Sequence, residues 1–154
     1  MNDPTRLKPV LIRPGEGENI HPFGLDMSVM LTGQHTNGAL SAILAHHRPG
    51  EGPLQHIHYH QDEYTVVLQG EYLFRIEDEE PVLAQPGTVI YIPRGFWHGF
   101  KNTGSSVASM LDWTLPGGQD EYFRRCSALS QTGFTSDDIT RVSAEHDTYY
   151  RPPT

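Results

Sequence analysis

Residues 50–70 read GEGPLQHIHYHQDEYTVVLQG, and within them three histidines occupy alternate positions, His56, His58 and His60. Side chains at alternate positions of a β-strand point to the same face, and neighbours on that face lie roughly 7 Å apart. Two of these histidines can therefore reach one metal ion, whereas the third lies too far from the first to join them. The stretch predicts a metal site that takes two of the three histidines and further ligands from other strands.

Glu63 follows the histidines on the strand that must return beside them, and the length of the turn decides which pair it can join. Four residues separate it from His58, but only two separate it from His60, which makes a strained return. This geometry favours His56, His58 and Glu63 as the ligands. It leaves His60 near the rim of the site.

The composition is that of one domain built from short strands and tight turns. A chain of 154 residues is long enough to bury a core without disulfides. Its single cysteine, Cys126, cannot form an intramolecular bridge. The 15 glycines and 12 prolines are typical of many tight turns between strands.

Net charge and hydropathy argue against several classes of partner. The formal net charge is −8 with 11 basic residues, so the phosphate backbone of a nucleic acid would be repelled overall. The N-terminal sequence MNDPTRLKPV lacks the apolar core of a signal peptide, and no apolar run reaches transmembrane length. We therefore expect a soluble cytoplasmic protein that binds neither nucleic acid nor membrane.

Three regions follow one another along the chain. Residues 1–24 are rich in proline, glycine and charge and are predicted to form an irregular arm, with a candidate short strand at residues 9–12. Residues 25–115 carry apolar and polar positions in alternation between turn signals, which predicts strands throughout. Residues 116–154 are predicted to form a short helical segment that packs on these strands. The chain is therefore expected to be all-β with a helical C-terminal segment.

Two helices are predicted within this C-terminal segment. In residues 119–129 apolar side chains recur at helical spacing, with acids early and arginines later, as the helix dipole favours. A second helix is expected over residues 136–146, with Ser136 as its N-cap and acids in its first turn. The prolines of the tail cannot extend this helix, although Tyr149 and Tyr150 could pack back on the body of the protein.

A second patterned stretch, residues 87–102, reads GTVIYIPRGFWHGFKN and carries a further histidine, His98. It has the form G-x5-P-x-G-x2-H-x3-N, and residues 50–70 have the form G-x5-H-x-H-x4-E-x6-G. Both patterns, in this order and 16 residues apart, resemble the two motifs of the cupins. The sequence PGGQDEYF, residues 116–123, also resembles the segment that follows the barrel in single-domain, quercetinase-like members.

The resemblance implies a cupin double-stranded β-helix, which is a jelly-roll barrel, over residues 25–115. It also implies one divalent transition metal in the barrel, and Fe, Mn, Ni, Co, Cu and Zn all suit nitrogen-rich ligands. The ligands that it implies are His56, His58, Glu63 and His98. This set leaves one or two coordination positions for water, dioxygen or a chelating substrate, as in catalytic sites. Glu63 is the candidate catalytic residue, because it could release the metal to accept a proton.

Four further residues are expected to line the pocket beside the metal: Tyr72, Phe74, Phe100 and Asp112. The first two alternate on one face of a strand, and Phe100 shares the inward face with His98. An inward Asp112 would be a buried carboxylate that needs a partner, and hence a possible acid or base, whereas an outward one would have no role. His46 and His47 are adjacent, so we expect one to be hydrogen-bonded at the barrel mouth and the other to lie on the surface.

Three functions are compatible with such a site. The first, which the sequence favours, is a quercetinase-like dioxygenase that acts on a small enolic or aromatic substrate chelated at the metal. The second is a non-redox isomerase, lyase or cyclase, in which the metal serves only as a Lewis acid. The third is a non-catalytic small-molecule-binding protein. Oxygen dependence separates the first from the second, and an apolar, aromatic-lined pocket suits a flat aromatic or polyketide substrate.

The apolar residues Tyr64, Val66 and Leu68 are expected to lie on the outer face of their strand. The resemblance implies that such a face can pair two barrels, so the expected macromolecular partner is a second copy of the chain in a homodimer. The alternative is that these side chains pack beneath the N-terminal arm.

Overall fold

The computed structural model describes residue 3 and residues 5–152, and in that part of the chain eleven strands and two α-helices form. The strands are, in chain order, β1 (Glu18–Ile20), β2 (Asp26–Leu31), β3 (Ser41–His47), β4 (His56–Ile57), β5 (Asp62–Gln69), β6 (Tyr72–Ile76), β7 (Val82–Ala84), β8 (Val89–Ile92), β9 (His98–Asn102), β10 (Ala108–Leu115) and β11 (Tyr149–Tyr150). Between β10 and β11 lie the helices α1 (Gln119–Thr132) and α2 (Ser136–Glu145), and between β1 and β2 lies a 3-10 helix (Pro22–Gly24).

The strands form two antiparallel sheets that enclose one core. The six-stranded sheet has the order β1-β2-β3-β10-β5-β8, and the five-stranded sheet has the order β11-β4-β9-β6-β7. Neighbours within each sheet are often distant in the sequence, so the chain crosses repeatedly from one sheet to the other, as in a jelly roll. Buried apolar side chains from both sheets meet between them, among them Ile43, Val67, Met110, Tyr72 and Phe74. The predicted all-β jelly-roll fold is confirmed.

The histidine-rich stretch is less regular than the sequence predicts. Strand β4 ends at Ile57, so the chain does not continue as one strand through all three histidines. Tyr59 and His60 lie in a bend that leads into β5. The amides of these two residues donate to the carboxylate of Asp147, at 2.9 and 2.6 Å, instead of to a neighbouring strand.

Short strands near the two ends of the chain also differ from the expectation. Residues 9–12 are irregular and leave Leu11 exposed, whereas β1 forms further on and pairs with β2. Strand β11 pairs with β4, so the tail returns to the barrel as an added strand. Strands of two or three residues are too short to show a hydrophobic period, and only their distant partners define them.

Both predicted helices are present. Helix α1 begins where the sequence predicts and ends at Thr132, and α2 ends at Glu145. The N-cap of α2 is Thr135 and not Ser136, because Thr135 has the extended backbone that a cap requires. Its hydroxyl accepts a hydrogen bond from the amide of Asp138, and the Asp138 carboxylate accepts one from the Thr135 amide. Neither helix of the described residues has the length and apolar character that crossing a lipid bilayer requires.

Candidate metal centre

Four side chains converge inside the barrel from both sheets. His56 on β4 and His98 on β9 are direct partners in the ladder that joins these strands, and their ring centroids lie 4.3 Å apart. Glu63 is the second residue of β5 in the other sheet, and His58 directly follows β4. All four are buried, and one potential ligand atom from each lies within 4.8 Å of the others. The structure therefore brings together the four side chains expected to bind a metal.

The outer nitrogen of each of the three histidines is fixed by the main chain. In each case Nδ1 lies 2.8–2.9 Å from a carbonyl oxygen: His56 from Leu54, His58 from Asp147, and His98 from Phe96. A carbonyl can only accept, so each Nδ1 carries hydrogen, and Nε2 of an uncharged ring presents its lone pair to the centre. Metal-binding histidines are held in this way. The donor set therefore fits a divalent metal ion.

The electrostatics of the centre depend on Glu63. The Nε2 atoms of His58 and His98 lie 3.1 and 2.8 Å from the same Glu63 oxygen, Oε2. Burial tends to raise the pKa of Glu63, but the charge of His98 and the hydrogen bonds around the carboxylate outweigh burial and hold that pKa well below its usual range. Burial tends to lower the pKa of His98, and Glu63 raises it overall. A divalent cation held by these residues would replace the proton between Glu63 and His98, because metal ligands bind in their deprotonated form.

His60 is not part of this cluster. Its side chain is 83% exposed, and its Nδ1 lies 3.1 Å from Oδ1 of Asp147. The same carboxylate accepts the amides of Tyr59 and His60, so it fixes the bend that delivers His58 to the centre. The exposed position of the His60 side chain agrees with the expectation that His60 lies outside the ligand set.

A cavity of about 470 Å³ lies beside the four side chains. Its walls are mainly apolar and come from the barrel and the helices, among them Met27, Ile43, Ala45, Met110, Tyr122 and Phe123. Phe100 and Asp112 line it, as expected. Tyr72 and Phe74 do not, and that expectation is corrected: both are buried in the core, where they pack against the ring of Phe100 with centroids 5.4 and 5.3 Å away.

Asp112 faces inward beside Glu63, which is the placement that makes it a candidate acid or base. The hydroxyl of Thr65 donates to Oδ2 of Asp112 at 2.6 Å. Burial, reinforced by the charge of Glu63 and a hydrogen bond to it, raises the pKa of Asp112 well above its usual range. Of these two neighbouring carboxyl groups, Asp112 is therefore the one that holds a proton more readily.

Other parts of the cavity wall were not evident in the sequence. Phe23 and Leu25 come from the segment before β2, and Ile139 and Tyr150 come from the C-terminal segment. Helical spacing identifies α1 and α2 as helices, but it does not show which end of the barrel they cover. Of the two adjacent histidines, His47 lines the cavity, as alternation allows.

Comparison with known proteins identifies the family. A family model described as a cupin domain matches residues 43–114. Polyketide synthase CurC of Streptomyces cyaneus is 31% identical over 109 residues, which cover 69% of this chain and 69% of CurC. Tetracenomycin polyketide synthase protein TcmJ of Streptomyces glaucescens is 30% identical over 76 residues, which cover 48% of this chain and 50% of TcmJ. This chain belongs to the cupin family.

Solved structures share the architecture. A predicted oxalate decarboxylase from Thermotoga maritima superposes with a TM-score of 0.62 at 22% identity, and the match covers 70% of this chain and 99% of that one. KdgF from Halomonas sp. superposes with a TM-score of 0.56 at 20% identity, and the match covers 64% of this chain and 84% of that one. At these identities the likeness shows the fold alone.

Proposed function

We propose that this cupin is a metal-dependent enzyme that binds a flat enolic or phenolic substrate of polyketide type and catalyses a proton-transfer reaction on it, such as a cyclisation or an isomerisation. The observation that carries this proposal is a shared cavity wall, where His56, His58 and Glu63 of the four-residue centre line the same largely apolar space as Asp112. Two relatives in Streptomyces are polyketide synthase proteins by name, which supports the substrate class.

His56, His58, Glu63 and His98 would hold the metal ion. Bound there, a divalent metal supplies a Lewis acid that polarises a coordinated carbonyl or phenol oxygen. The three imidazoles and one carboxylate suit Fe, Mn, Ni, Co, Cu and Zn alike, and they suit Mg and Ca poorly.

Asp112 and Glu63 divide the proton chemistry between them. Glu63 stays ionised because the histidines around it favour its charged form. Asp112 holds a proton more readily than Glu63, because burial and the nearby charge of Glu63 raise its pKa. Thr65 fixes one oxygen of the Asp112 carboxyl at the cavity wall, and in the proposed reaction Asp112 acts as the acid that supplies a proton to a substrate oxygen on which negative charge develops.

The cavity suits the proposed substrate in size and polarity. Its volume of about 470 Å³ lies within the range of pockets that enclose drug-sized ligands, about 300–1,000 Å³. Ile43, Ala45 and Met110 give it an apolar wall, and Phe100 adds an aromatic face. Such a wall holds a flat ring system and excludes water from a reactive enol.

A quercetinase-like dioxygenase, which the sequence alone favours, is the second candidate. The observation in its favour is the PGGQDEYF segment, which resembles the post-barrel segment of such enzymes. This segment begins α1 and contributes Gln119, Tyr122 and Phe123 to the cavity wall. Both candidates use the same ligands and the same chelated substrate, so consumption of dioxygen separates them.

Metal analysis of purified protein tests the centre. Cells supplied with Fe, Mn, Ni, Co, Cu and Zn are expected to yield wild-type protein that carries close to one metal ion per chain. His58→Ala is expected to lose the metal, because it removes a ligand. His60→Ala is the matched control and is expected to keep it, since His60 lies outside the cluster. Wild-type protein without metal under every supply would contradict the proposal.

Turnover with and without oxygen tests the reaction. Metal-loaded protein is mixed with flavonols and with poly-β-ketone thioesters, and product and dissolved oxygen are followed together. Product that forms without oxygen, and that is lost in Asp112→Asn while the metal is retained, supports proton transfer. Stoichiometric oxygen consumption favours the dioxygenase instead. Binding without turnover under either atmosphere would leave a non-catalytic binding protein.

A further inference from the structure

A second polar group lines the cavity outside the four-residue centre. His47, the last residue of β3, is only 1% exposed, and its Nδ1 lies 2.9 Å from the hydroxyl oxygen of Tyr72. Tyr72 and Phe100 hold the imidazole edge-on, with ring centroids 5.5 and 5.2 Å away. Among the described residues, Nε2 of His47 has no hydrogen-bond partner, and the residue lines the cavity. A molecule bound in the cavity can therefore supply the partner that Nε2 lacks.

The register of β3 separates His47 from the metal centre. Ile43 is paired with Asp112 beside the centre, whereas His47 is paired with Ala108 at the other end of the same ladder. Ile43, Ala45 and His47 all line the cavity, and four residues of strand span about 13 Å. The cavity therefore has two polar ends with an apolar wall between them. One end is the candidate metal centre, and the other is His47.

The hydrogen bond to Tyr72 decides which nitrogen of His47 carries the ring hydrogen. Tyr72 is fully buried, and among the described residues the His47 ring is the only hydrogen-bond partner of its hydroxyl. If that hydroxyl accepted from Nδ1, its own hydrogen would be buried without an acceptor, which costs more than an unused lone pair. Tyr72 therefore donates to Nδ1, and Nε2 of His47 carries the ring hydrogen.

We propose that His47 is a substrate-binding residue and that Tyr72 positions it: Nε2–H of His47 donates a hydrogen bond to an oxygen at the end of the substrate opposite the metal-bound end. This inference rests on the proposed function and narrows the substrate class. The substrate is an elongated, flat molecule with a chelating enol at one end and an acceptor oxygen at the other. Burial lowers the pKa of His47 to about 4, so the uncharged ring suits a hydroxyl or carbonyl better than a carboxylate.

The tautomer can be measured without a substrate. Long-range 1H–15N NMR spectra of the full-length protein are expected to show His47 as the Nε2–H tautomer at neutral pH. Tyr72→Phe removes the donor and is expected to give a mixture of tautomers. Tyr91→Phe, at an exposed position on β8, is the matched control and is expected to change nothing. An Nδ1–H tautomer in the wild type would overturn the inference.

Two matched flavonols test the binding role. Both 3-hydroxyflavone and 3,4′-dihydroxyflavone carry the same chelating hydroxyl and carbonyl, and only the second has an oxygen at its far end. Zinc-loaded protein is used because zinc has no redox chemistry, so the ligands are bound but not oxidised. We expect the wild type to bind 3,4′-dihydroxyflavone about tenfold more tightly, which is the effect of one net hydrogen bond.

Variants of the two adjacent histidines complete the test. His47→Leu removes the donor and is expected to abolish the tenfold preference, with the affinity for 3-hydroxyflavone retained. His47→Gln supplies an N–H at a similar reach and is expected to restore most of the preference, and His46→Gln on the same strand is the matched control. A preference that is absent in the wild type, or unchanged in His47→Leu, would overturn the inference and leave the proposed function standing. Failure of the wild type to bind either flavonol would overturn this inference, and turnover of poly-β-ketone thioesters would then decide the proposed function separately.

Discussion

His47 and His56 are buried inside the barrel, and burial lowers the pKa of the two rings to about 4 and about 3. Around His47, the charge of Glu51 acts to raise the pKa and that of His46 acts to lower it, and both effects are smaller than burial. In the unfolded chain each ring takes up a proton with a pKa of about 6.5. The unfolded state therefore binds more protons below that pH, and folding stability falls as the pH drops toward the folded pKa.

His47→Gln is expected to flatten this pH dependence. With pKa values of about 4 when folded and about 6.5 when unfolded, His47 lowers the unfolding free energy of the metal-free protein by about 2 kcal/mol between about pH 7 and about pH 5. Urea unfolding of the wild type and the variant at both pH values measures the difference. His46→Gln serves as the control and should keep the wild-type pH dependence. Equal pH dependence in wild type and His47→Gln would show that the buried ring is not held uncharged.

Strand alternation in the sequence predicts which face a side chain takes but not what covers it there. Phe100 and Asp112 point inward and reach the cavity, as alternation predicts. Tyr72 and Phe74 also point inward, yet they lie in the core beside Phe100. The difference depends on how rings from neighbouring strands pack, and a single strand's pattern holds no information about that packing.

Among the elements, the C-terminal strand β11 supports the metal centre through the residue that lies two positions before it. Asp147 adopts a left-handed φ of 55°, and its carbonyl oxygen accepts a hydrogen bond from Nδ1 of His58. Its carboxylate accepts the amides of Tyr59 and His60. One residue of the tail therefore fixes both the ring of an expected ligand and the bend that carries it.

Asp147→Ala is expected to weaken metal binding about tenfold or more, because partners of metal ligands contribute to affinity on that scale. The variant removes the acceptor of two amides and strains the left-handed position. Asp147→Asn is the matched control, since asparagine tolerates this conformation and keeps an acceptor oxygen. Competition with a chromogenic zinc chelator measures the dissociation constants. A wild-type affinity in Asp147→Ala would show that this carboxylate does not support His58.

The exact ends of helices and strands are the part of the fold that nearby residues predict least well. Ser136 and Thr135 both suit an N-cap, and the reciprocal hydrogen bonds with Asp138 select Thr135. Strand β4 ends at Ile57 because the amides of Tyr59 and His60 donate to the carboxylate of Asp147, almost ninety residues away in the sequence. A local pattern predicts that a helix or strand exists, whereas its ends depend on distant partners.

For the molecule as a whole, the two motifs predict the barrel and its converging side chains because each motif spans a turn and the strands beside it. They do not predict the cover over the cavity. That cover depends on contacts between segments that are distant in the sequence. His21 and Phe23 donate their amides to the hydroxyls of Ser127 and Ser130, at 3.0 and 2.7 Å. The cytoplasmic location and the homodimer expected from the sequence stay predictions.

The outer face of the six-stranded sheet carries an aromatic patch. Tyr64 stacks on Tyr91 and Trp113, with ring centroids 4.9 and 5.6 Å away, and Val89 on the neighbouring strand is 66% exposed. Strand β1 of the N-terminal arm lies at the opposite edge of this sheet from β8. Extended apolar patches on a protein surface mark contact sites. We propose that a second copy of the chain covers this patch in a homodimer.

Val89→Glu is expected to convert that homodimer into a monomer. In a two-fold interface the same patch of both copies is in contact, so the variant would bury an unpaired negative charge from each copy. Size-exclusion chromatography with light scattering measures the molar mass. Val82→Glu is the matched control, since Val82 is similarly exposed, at 61%, but lies on β7 in the other sheet. Metal content should be unchanged in both variants, because neither residue belongs to the centre. A monomeric wild type would contradict the homodimer. A Val89→Glu variant that remains dimeric would show that the interface lies on another part of the surface.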